Sequence, residues 1–187
     1  MIELSIITPC SRPQNLEILK KSIDFNKIKY WYIVYDTSKG RSFVKRYNHN
    51  KIIELEVNQK CCGAPQRNLG IDAIKSGFVY MLDDDNIIHE NFWKLIETFE
   101  IDKIYTFDQE RCLKDNKTSI LPGGNYKKCR IDTAQFVVPR DLIGDQRWNI
   151  SGCADGIFIE ELHRRHPDKF VYIKEIGCWW NKLNPRG

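Results

Sequence analysis

Phe78-Val79-Tyr80-Met81-Leu82-Asp83-Asp84-Asp85-Asn86 carries an apolar run straight into a cluster of negative charge. Five apolar residues in a row read as a buried strand. The run then breaks into three consecutive carboxylates, which repel one another and suit neither a strand nor a packed core. If this segment stays extended, Asp83 and Asp85 point one way and Asp84 the other. Ligands of open α/β sheets bind just beyond the carboxyl ends of strands. A buried strand that ends in carboxylates therefore marks both a sheet and a site.

Working outward, Gly63-Ala64-Pro65 opens a helix with Leu69, Ala73 and Ile74 on one face, and Gly77 stops it. Strands are expected over 4–7, 30–35 and 52–57. A helix starts at Ser11-Arg12-Pro13 and carries Leu16, Leu19 and Ile23 at helical spacing. Downstream, Phe92, Ile96 and Phe99 lie on one helical face. Residues 104–107, 133–138 and 170–173 are strand-like, 115–128 reads as a polar loop or hairpin, and 155–165 as a helix. Strands alternating with helices imply βαβ units. The expectation is an α/β fold with an open, mostly parallel sheet flanked by helices, in a single compact domain over 1–187.

The bulk properties exclude several classes. Net charge is +4, from 29 Lys and Arg against 25 Asp and Glu, far from the dense basic stripe of a nucleic-acid binder. The seven cysteines include no C-x-x-C pair, so zinc-ribbon spacing is absent. An odd count, with Cys61 and Cys62 adjacent, reads as reduced thiols in a cytoplasmic protein. The N-terminus is too short and acidic for a signal peptide, and no apolar run is long enough for a transmembrane segment.

Thr8-Pro9-Cys10, Asp36 and the triple aspartate each follow a strand, so they should line one crevice. Hard carboxylate oxygens beside an apolar strand suit Mg²⁺ or Mn²⁺ shared with substrate phosphates. The simpler alternative is an acidic turn with Asn86 as a helix N-cap. Arg67 in a first helical turn opposes the helix dipole, a conflict that a bound phosphate removes. Gly63 permits close backbone approach there, and Asn68 adds a hydrogen-bonding side chain. Arg12 is a candidate for phosphate or acceptor, or else a solvated arginine. Asp36 either accepts from a base or ribose or simply forms a turn. Trp179-Trp180 either stacks on a sugar or packs.

The order Thr8-Pro9, Arg12, Asp36, Gly63-Ala64-Pro65-Gln66-Arg67-Asn68 and Leu82-Asp83-Asp84-Asp85-Asn86 resembles GT-A glycosyltransferases. It is similar both to the large family-two group and to animal glucuronyltransferases with a DDDN-type motif. The likeness spans residues 4–99 in motif order. It continues more weakly through Asp132-Thr133-Ala134-Gln135 and Gly152-Cys153-Ala154-Asp155.

The resemblance implies a GT-A (Rossmann-like) fold, with 1–99 as the nucleotide-sugar half and 100–187 as the acceptor and catalytic half. Thr8, Pro9 and Asp36 would border the base, usually uracil. Arg67 would reach base or diphosphate. Asp83 would touch the ribose side with Asp84 in support. Asp85 would bind the divalent metal, with Asp83 as the other candidate ligand. Asp155 would sit where inverting members keep their general base, and Asp132 is the second candidate. Asp155 also reads as a simple N-cap. The late histidine that serves some members as a metal ligand has no clear counterpart among His49, His89, His163 and His166.

The implied function is metal-dependent transfer of a sugar from a UDP-sugar to a glycan, protein or small-molecule acceptor. So short a chain leaves little room for an acceptor subdomain, so a dimer or partner domain is expected to help. A sugar nucleotidyltransferase would need a glycine-rich, lysine-containing loop after the first strand, where Thr8-Pro9-Cys10-Ser11 stands. A non-catalytic nucleotide- or glycan-binding module would keep Asp83 and Asp85 yet show no turnover.

Overall fold

Side chains along the first strands alternate between two apolar layers, as strands buried on both faces require. The computed structural model describes residues 2–38, 40, 44–59, 63–113 and 117–184. Four parallel strands open the chain: β1 (Leu4–Cys10), β2 (Tyr30–Asp36), β3 (Ile52–Val57) and β4 (Phe78–Met81). Leu4, Ile6, Trp31, Ile33, Phe78 and Tyr80 point into one cluster, under α1 (Leu16–Lys21). Ile7, Tyr32, Val34, Val79 and Met81 point into the other, under α2 (Ala64–Ala73).

Beyond β4 the chain departs from the expected plan. β5 (Ile87–Ile88) is short, and α3 (Phe92–Leu95) continues as a 3₁₀ turn over Ile96–Thr98. β6 (Ile104–Cys112) folds back as a hairpin with β7 (Thr118–Leu121). Then come β8 (Phe136–Pro139), α4 (Arg140–Ile143), α5 (Ala154–Arg165) and the eleven-residue β9 (Phe170–Trp180). The sheet order is β3-β2-β1-β4-β8-β6-β9-β5, with β7 attached to β6.

The open, mostly parallel GT-A (Rossmann-like) sheet expected from sequence is therefore corrected. Among the described residues, four strand pairings are parallel and four antiparallel, and the mixed sheet curls into a half-barrel. The reason lies in the connections. A parallel neighbour needs a crossover of a dozen or more residues, usually a helix. Between β6 and β8 the chain makes a hairpin, a loop and a 3₁₀ turn instead, so β8 returns against both β4 and β6. The expected strand over 133–138 likewise begins later, because Thr133–Gln135 is that 3₁₀ turn.

The reading of all thiols as reduced is also corrected. Cys129 and Cys153 form a disulfide, with their Cα atoms 5.3 Å apart. Cys10, Cys112 and Cys178 are free and buried, while Cys61 and Cys62 lie outside the described residues. Among the described residues, no helix is long and apolar enough to cross a membrane.

Gly77 joins α2 to β4 and has φ +82°; a Cβ there would lie 2.3 Å from the Glu3 carbonyl oxygen. That carbonyl accepts from Phe78 N–H at 2.7 Å, so the pairing of β1 with β4 depends on the close approach. Gly77→Ala combines left-handed strain with a backbone clash. It should destabilise the fold by more than about 1 kcal/mol, read as a lower urea midpoint at constant m-value.

Candidate active site

The strand directions decide what meets at the carboxyl end of β4. β1 and β4 run the same way, so Ser11-Arg12 and Asp83-Asp84-Asp85 leave the sheet side by side. β8 runs against β4, so its amino end arrives at the same rim, bringing Asp132 and the Thr133–Gln135 turn. The first turn of α5 adds Asp155.

Asp83 to Asn86 is a tight turn, closed by Asn86 N–H donating to the Asp83 carbonyl at 3.1 Å. The alternation expected of an extended segment therefore fails, and the three carboxylates divide differently. Asp84 points back to β1: one oxygen accepts from the backbone N–H groups of Ser11 and Arg12, both at 2.6 Å. Its other oxygen accepts from Arg12 Nε at 2.8 Å and from Arg12 Nη2. Asp85 shares that guanidinium, with Oδ2 2.9 Å from Nη2. Asp83 instead pairs with Arg67 Nη2 at 2.6 Å. Asp83 is the open member, its side chain 27% exposed against 1% for Asp84 and 5% for Asp85. Asn86 caps no helix. Its Oδ1 accepts from Asn181 N–H at 2.9 Å, and Leu183 N–H donates to the Asp85 carbonyl at 3.0 Å, so the chain after β9 closes over the turn.

Arg67 is buried, with its guanidinium carbon 4.7 Å from the centre of the Trp148 ring and Nη2 3.5 Å from Thr133 Oγ1. Gly63 makes room for it, since a Cβ there would lie 2.8 Å from Arg67 Nη1 and 3.4 Å from Pro9 Cβ. Burial works against its charge, but Asp83, Asp155 and Asp132 outweigh burial and hold the guanidinium ionised above its ordinary range. Asn68 grips the Trp148 backbone in both directions, donating to its carbonyl at 3.1 Å and accepting from its N–H at 2.8 Å. Its side chain thus fixes the indole that covers Arg67.

Asp132 caps the 3₁₀ turn. Its Oδ1 accepts from Ala134 N–H at 3.3 Å and from Gln109 Nε2 at 3.0 Å, while its own N–H donates to Gln135 Oε1 at 2.9 Å. Burial, then the charges of Asp155 and Asp83, push its carboxyl up to about 7 against those hydrogen bonds. Asp155 lies inside the first turn of α5, whose N-cap is Cys153. Burial raises it most; Arg67 pulls it down, Asp83 raises it, and a hydrogen bond with Thr133 lowers it. The net direction is upward. Five carboxylates thus face two guanidiniums.

Thr8 and Asp36 stand apart from this cluster. The Thr8 hydroxyl is fully buried and accepts from Trp31 Nε1 at 2.9 Å, which places it beneath the rim. Asp36 accepts from Ser38 N–H at 2.9 Å and so stabilises its own turn. Sequence reasoning missed Thr133, Gln109 and Trp148. The first had a readable signal, because Asp-x-x-Gln over 132–135 is a capping-box pattern. Gln109 and Trp148 reach the site only through tertiary packing. Trp179 and Trp180 are half-buried beside cations, with Lys182 Nζ 4.3 Å from the Trp179 ring centre and the Arg111 guanidinium 5.1 Å from that of Trp180.

Among the described residues, no three His, Cys, Asp or Glu side chains converge as a ready-made metal cage. A separate hollow of about 810 Å³ lies at the opposite end of the sheet, beside Glu3, Lys27, Gly77 and Phe99. Its Lys27 is already paired with Glu97, and the carboxylate–arginine cluster is not there.

No protein-family model and no curated protein matches the chain. Solved structures do. The chain is similar to S. aureus TarS 1–349 with a TM-score of 0.70 at 12% identity, over 96% of this chain and 60% of that one. TarS 1–349 in complex with UDP gives 0.69 at 12% identity, over 95% and 60%. The complex with UDP-GlcNAc gives 0.68 at 13% identity, over 95% and 58%. The chain therefore shares the fold of the part of TarS 1–349 that it matches, about 60% of that chain's length.

Two outcomes test the cluster. Asp84→Ala leaves Arg12 with Asp85 alone and removes the acceptor of two backbone N–H groups, and should cost about 1–3 kcal/mol in chemical denaturation, as loss of a buried hydrogen-bond partner does. Asp132 holds its proton in the folded state above the pH at which the unfolded chain loses it. Stability should therefore fall as pH rises from the ordinary carboxylate range to about 7. The slope should reach at most about 1.4 kcal/mol per pH unit. Asp132→Asn keeps the acceptor oxygen, and its melting temperature should lose that slope.

Proposed function

We propose that this chain is a glycosyltransferase that moves a sugar from a nucleoside diphosphate sugar, UDP-linked, to an acceptor hydroxyl. One observation carries the reading: Arg67 pairs with Asp83 at 2.6 Å and lies within electrostatic reach of Asp155 and Asp132. A cation for the leaving diphosphate thus stands beside a carboxylate for the incoming hydroxyl. The likeness to TarS 1–349, solved with UDP and with UDP-GlcNAc, supports the choice of donor.

Cleavage at the anomeric carbon leaves negative charge on the diphosphate. Arg67 and Arg12 stand at that end to offset it. Asp83 and Asp85 bring hard oxygen donors to the same turn, a donor set that suits Mg²⁺ or Mn²⁺ with the remaining ligands taken from phosphate and water. Such an ion, when bound, supplies further charge stabilisation on the leaving oxygens. Asp84 takes no ligand; it locks Arg12 and the β4 turn together. Pro9, Gly63 and Asp36 border the nucleoside side, and Thr8 supports them from below.

At the other side the acceptor oxygen attacks the anomeric carbon, the bond to the phosphate oxygen breaks, and the hydroxyl proton passes to Asp155. A base must be ionised yet basic enough to take a proton. Burial raises the proton affinity of Asp155, while Arg67 and Thr133 keep it ionisable. Asp132, protonated near neutral pH, lies beside it without adding a full charge. Attack opposite the leaving group inverts the anomeric centre. The acceptor is a glycan, protein or small molecule, brought with the help of a partner domain or a second copy.

Calorimetric titration with UDP, with and without Mn²⁺, tests the donor half. Binding should require the metal and weaken at least about tenfold in Asp85→Ala, the loss of one charged ligand. Absence of UDP binding under every metal condition sinks the UDP-sugar reading. Asp155→Asn should lower kcat by about 10²–10⁴ with little change in KM for the donor, as removal of a general base does. An unchanged kcat removes Asp155 from the chemistry.

A further inference from the structure

The carboxylates on the acceptor side come from two segments that share no strand pairing with each other. Asp132 follows the loop after β7, and Asp155 opens α5. The Cys129–Cys153 disulfide joins those segments three residues before Asp132 and two before Asp155. The loop lies flat on the helix end: a Cβ at Gly156 would meet Cys129 N at 2.5 Å and Lys128 Cα at 2.6 Å. Farther back, the Tyr126 ring packs on His163 and Phe170, with centroids 4.9 and 4.6 Å away.

The first turn of α5 has weak anchorage of its own. Its N-cap, Cys153, makes no side-chain capping bond, and Ala154 N–H reaches the Ser151 carbonyl at 3.3 Å. The covalent bridge holds that turn where a cap otherwise would. It is also within reach of solvent, because Cys129 is exposed and nothing lies within 4 Å of a Cβ at the adjoining Gly152.

We propose that the Cys129–Cys153 disulfide is a redox-reversible clamp that positions Asp155 against Thr133 and Arg67, and that thiol reductants open it and slow turnover. This rests on the reading of Asp155 as base. Opening is ordinary thiol–disulfide exchange. A reductant thiolate attacks the sulfur of Cys129, an exposed residue, the S–S bond breaks, and Cys153 leaves as a thiolate that takes up a proton. A second reductant thiol resolves the mixed disulfide. The protein gains two thiols, and the reductant pair becomes a disulfide. Once open, the loop keeps its Tyr126 anchor but no longer fixes the helix end. Arg12, Asp83, Asp84 and Asp85 sit on other segments and keep their contacts.

The test compares oxidised protein, protein reduced with dithiothreitol, reoxidised protein and Cys129→Ser/Cys153→Ser. Each is followed by hydrogen exchange and by turnover with UDP-sugars. Reduction should raise exchange over 126–132 and 153–157. It should also lower kcat at least about tenfold, the scale of a small misplacement of a catalytic group. KM for the donor should stay within about twofold, because the binding contacts are untouched. Reoxidation should restore both readouts. The double serine variant should match the reduced protein and ignore dithiothreitol. A further loss of turnover on reducing the double variant points to other thiols and overturns the clamp. So does a rise in donor KM in place of the fall in kcat. If no UDP-sugar binds or turns over, the glycosyltransferase reading fails while the exchange arm still decides the clamp, and unchanged protection over 153–157 refutes it.

Discussion

A guanidinium buried at the end of a sheet needs carboxylates around it, and Arg67 draws its partners from three parts of the chain. Asp83 comes from the turn after β4, Asp132 from the cap before β8 and Asp155 from α5. Taking one charge out of water costs several kcal/mol unless it is paired and hydrogen-bonded. The three segments are therefore not free to settle independently. The Trp148 ring covers the guanidinium, and Asn68, one residue on from Arg67, holds the Trp148 backbone. The same helix thus carries the charge and the grip on its lid.

The acidic excess follows from that arrangement. Arg12 and Arg67 cannot neutralise Asp83, Asp84, Asp85, Asp132 and Asp155 together. Asp84 and Asp85 share Arg12, and Asp83 takes Arg67 at contact distance. The remaining pair, Asp132 and Asp155, is shifted upward, first by burial and then by the neighbouring carboxylates. The two arginines thereby sort the carboxylates into two kinds. Those near β1 and β4 pair with arginine at contact distance and suit a cation; those near α5 are shifted toward holding a proton.

The first half of the fold was legible because its signals are local. Unbroken apolar runs such as Trp31-Tyr32-Ile33-Val34 and helix stops such as Gly77 act within a few residues, and they place β1 to β4 and α2. The acidic turn and Arg67 were legible for the same reason: charge after a buried strand, and a cation against a helix dipole, are conflicts visible in one window. Strand direction is not local. Nothing in Phe136-Val137-Val138 states that it runs against Phe78-Val79-Tyr80, because direction is set by the hairpin between β6 and β7 far upstream. The disulfide was hidden likewise. Cys129 and Cys153 have no signature spacing, and the odd cysteine count argued for free thiols. Even the facing of the three aspartates was misjudged, since the bond from Asn86 N–H to the Asp83 carbonyl makes a turn where extended backbone was assumed.

The reversal that sequence reading missed is also what makes the site two-sided. Had β8 run parallel to β4, its carboxyl end would have met Asp83, and the Asp132 cap would have stood at the opposite end of the sheet. Running antiparallel, β8 presents its beginning instead, and its 3₁₀ cap places Asp132 and Thr133 beside Arg67. β6, antiparallel to β8 in turn, sends its later residues to the same rim, where Gln109 reaches Asp132. A wholly parallel sheet gathers only strand ends at such a rim. This mixed sheet gathers strand ends and a strand beginning, and it is the beginning that carries a half-buried carboxylate shifted toward holding its proton to a site whose other half is built from carboxylates paired with arginine.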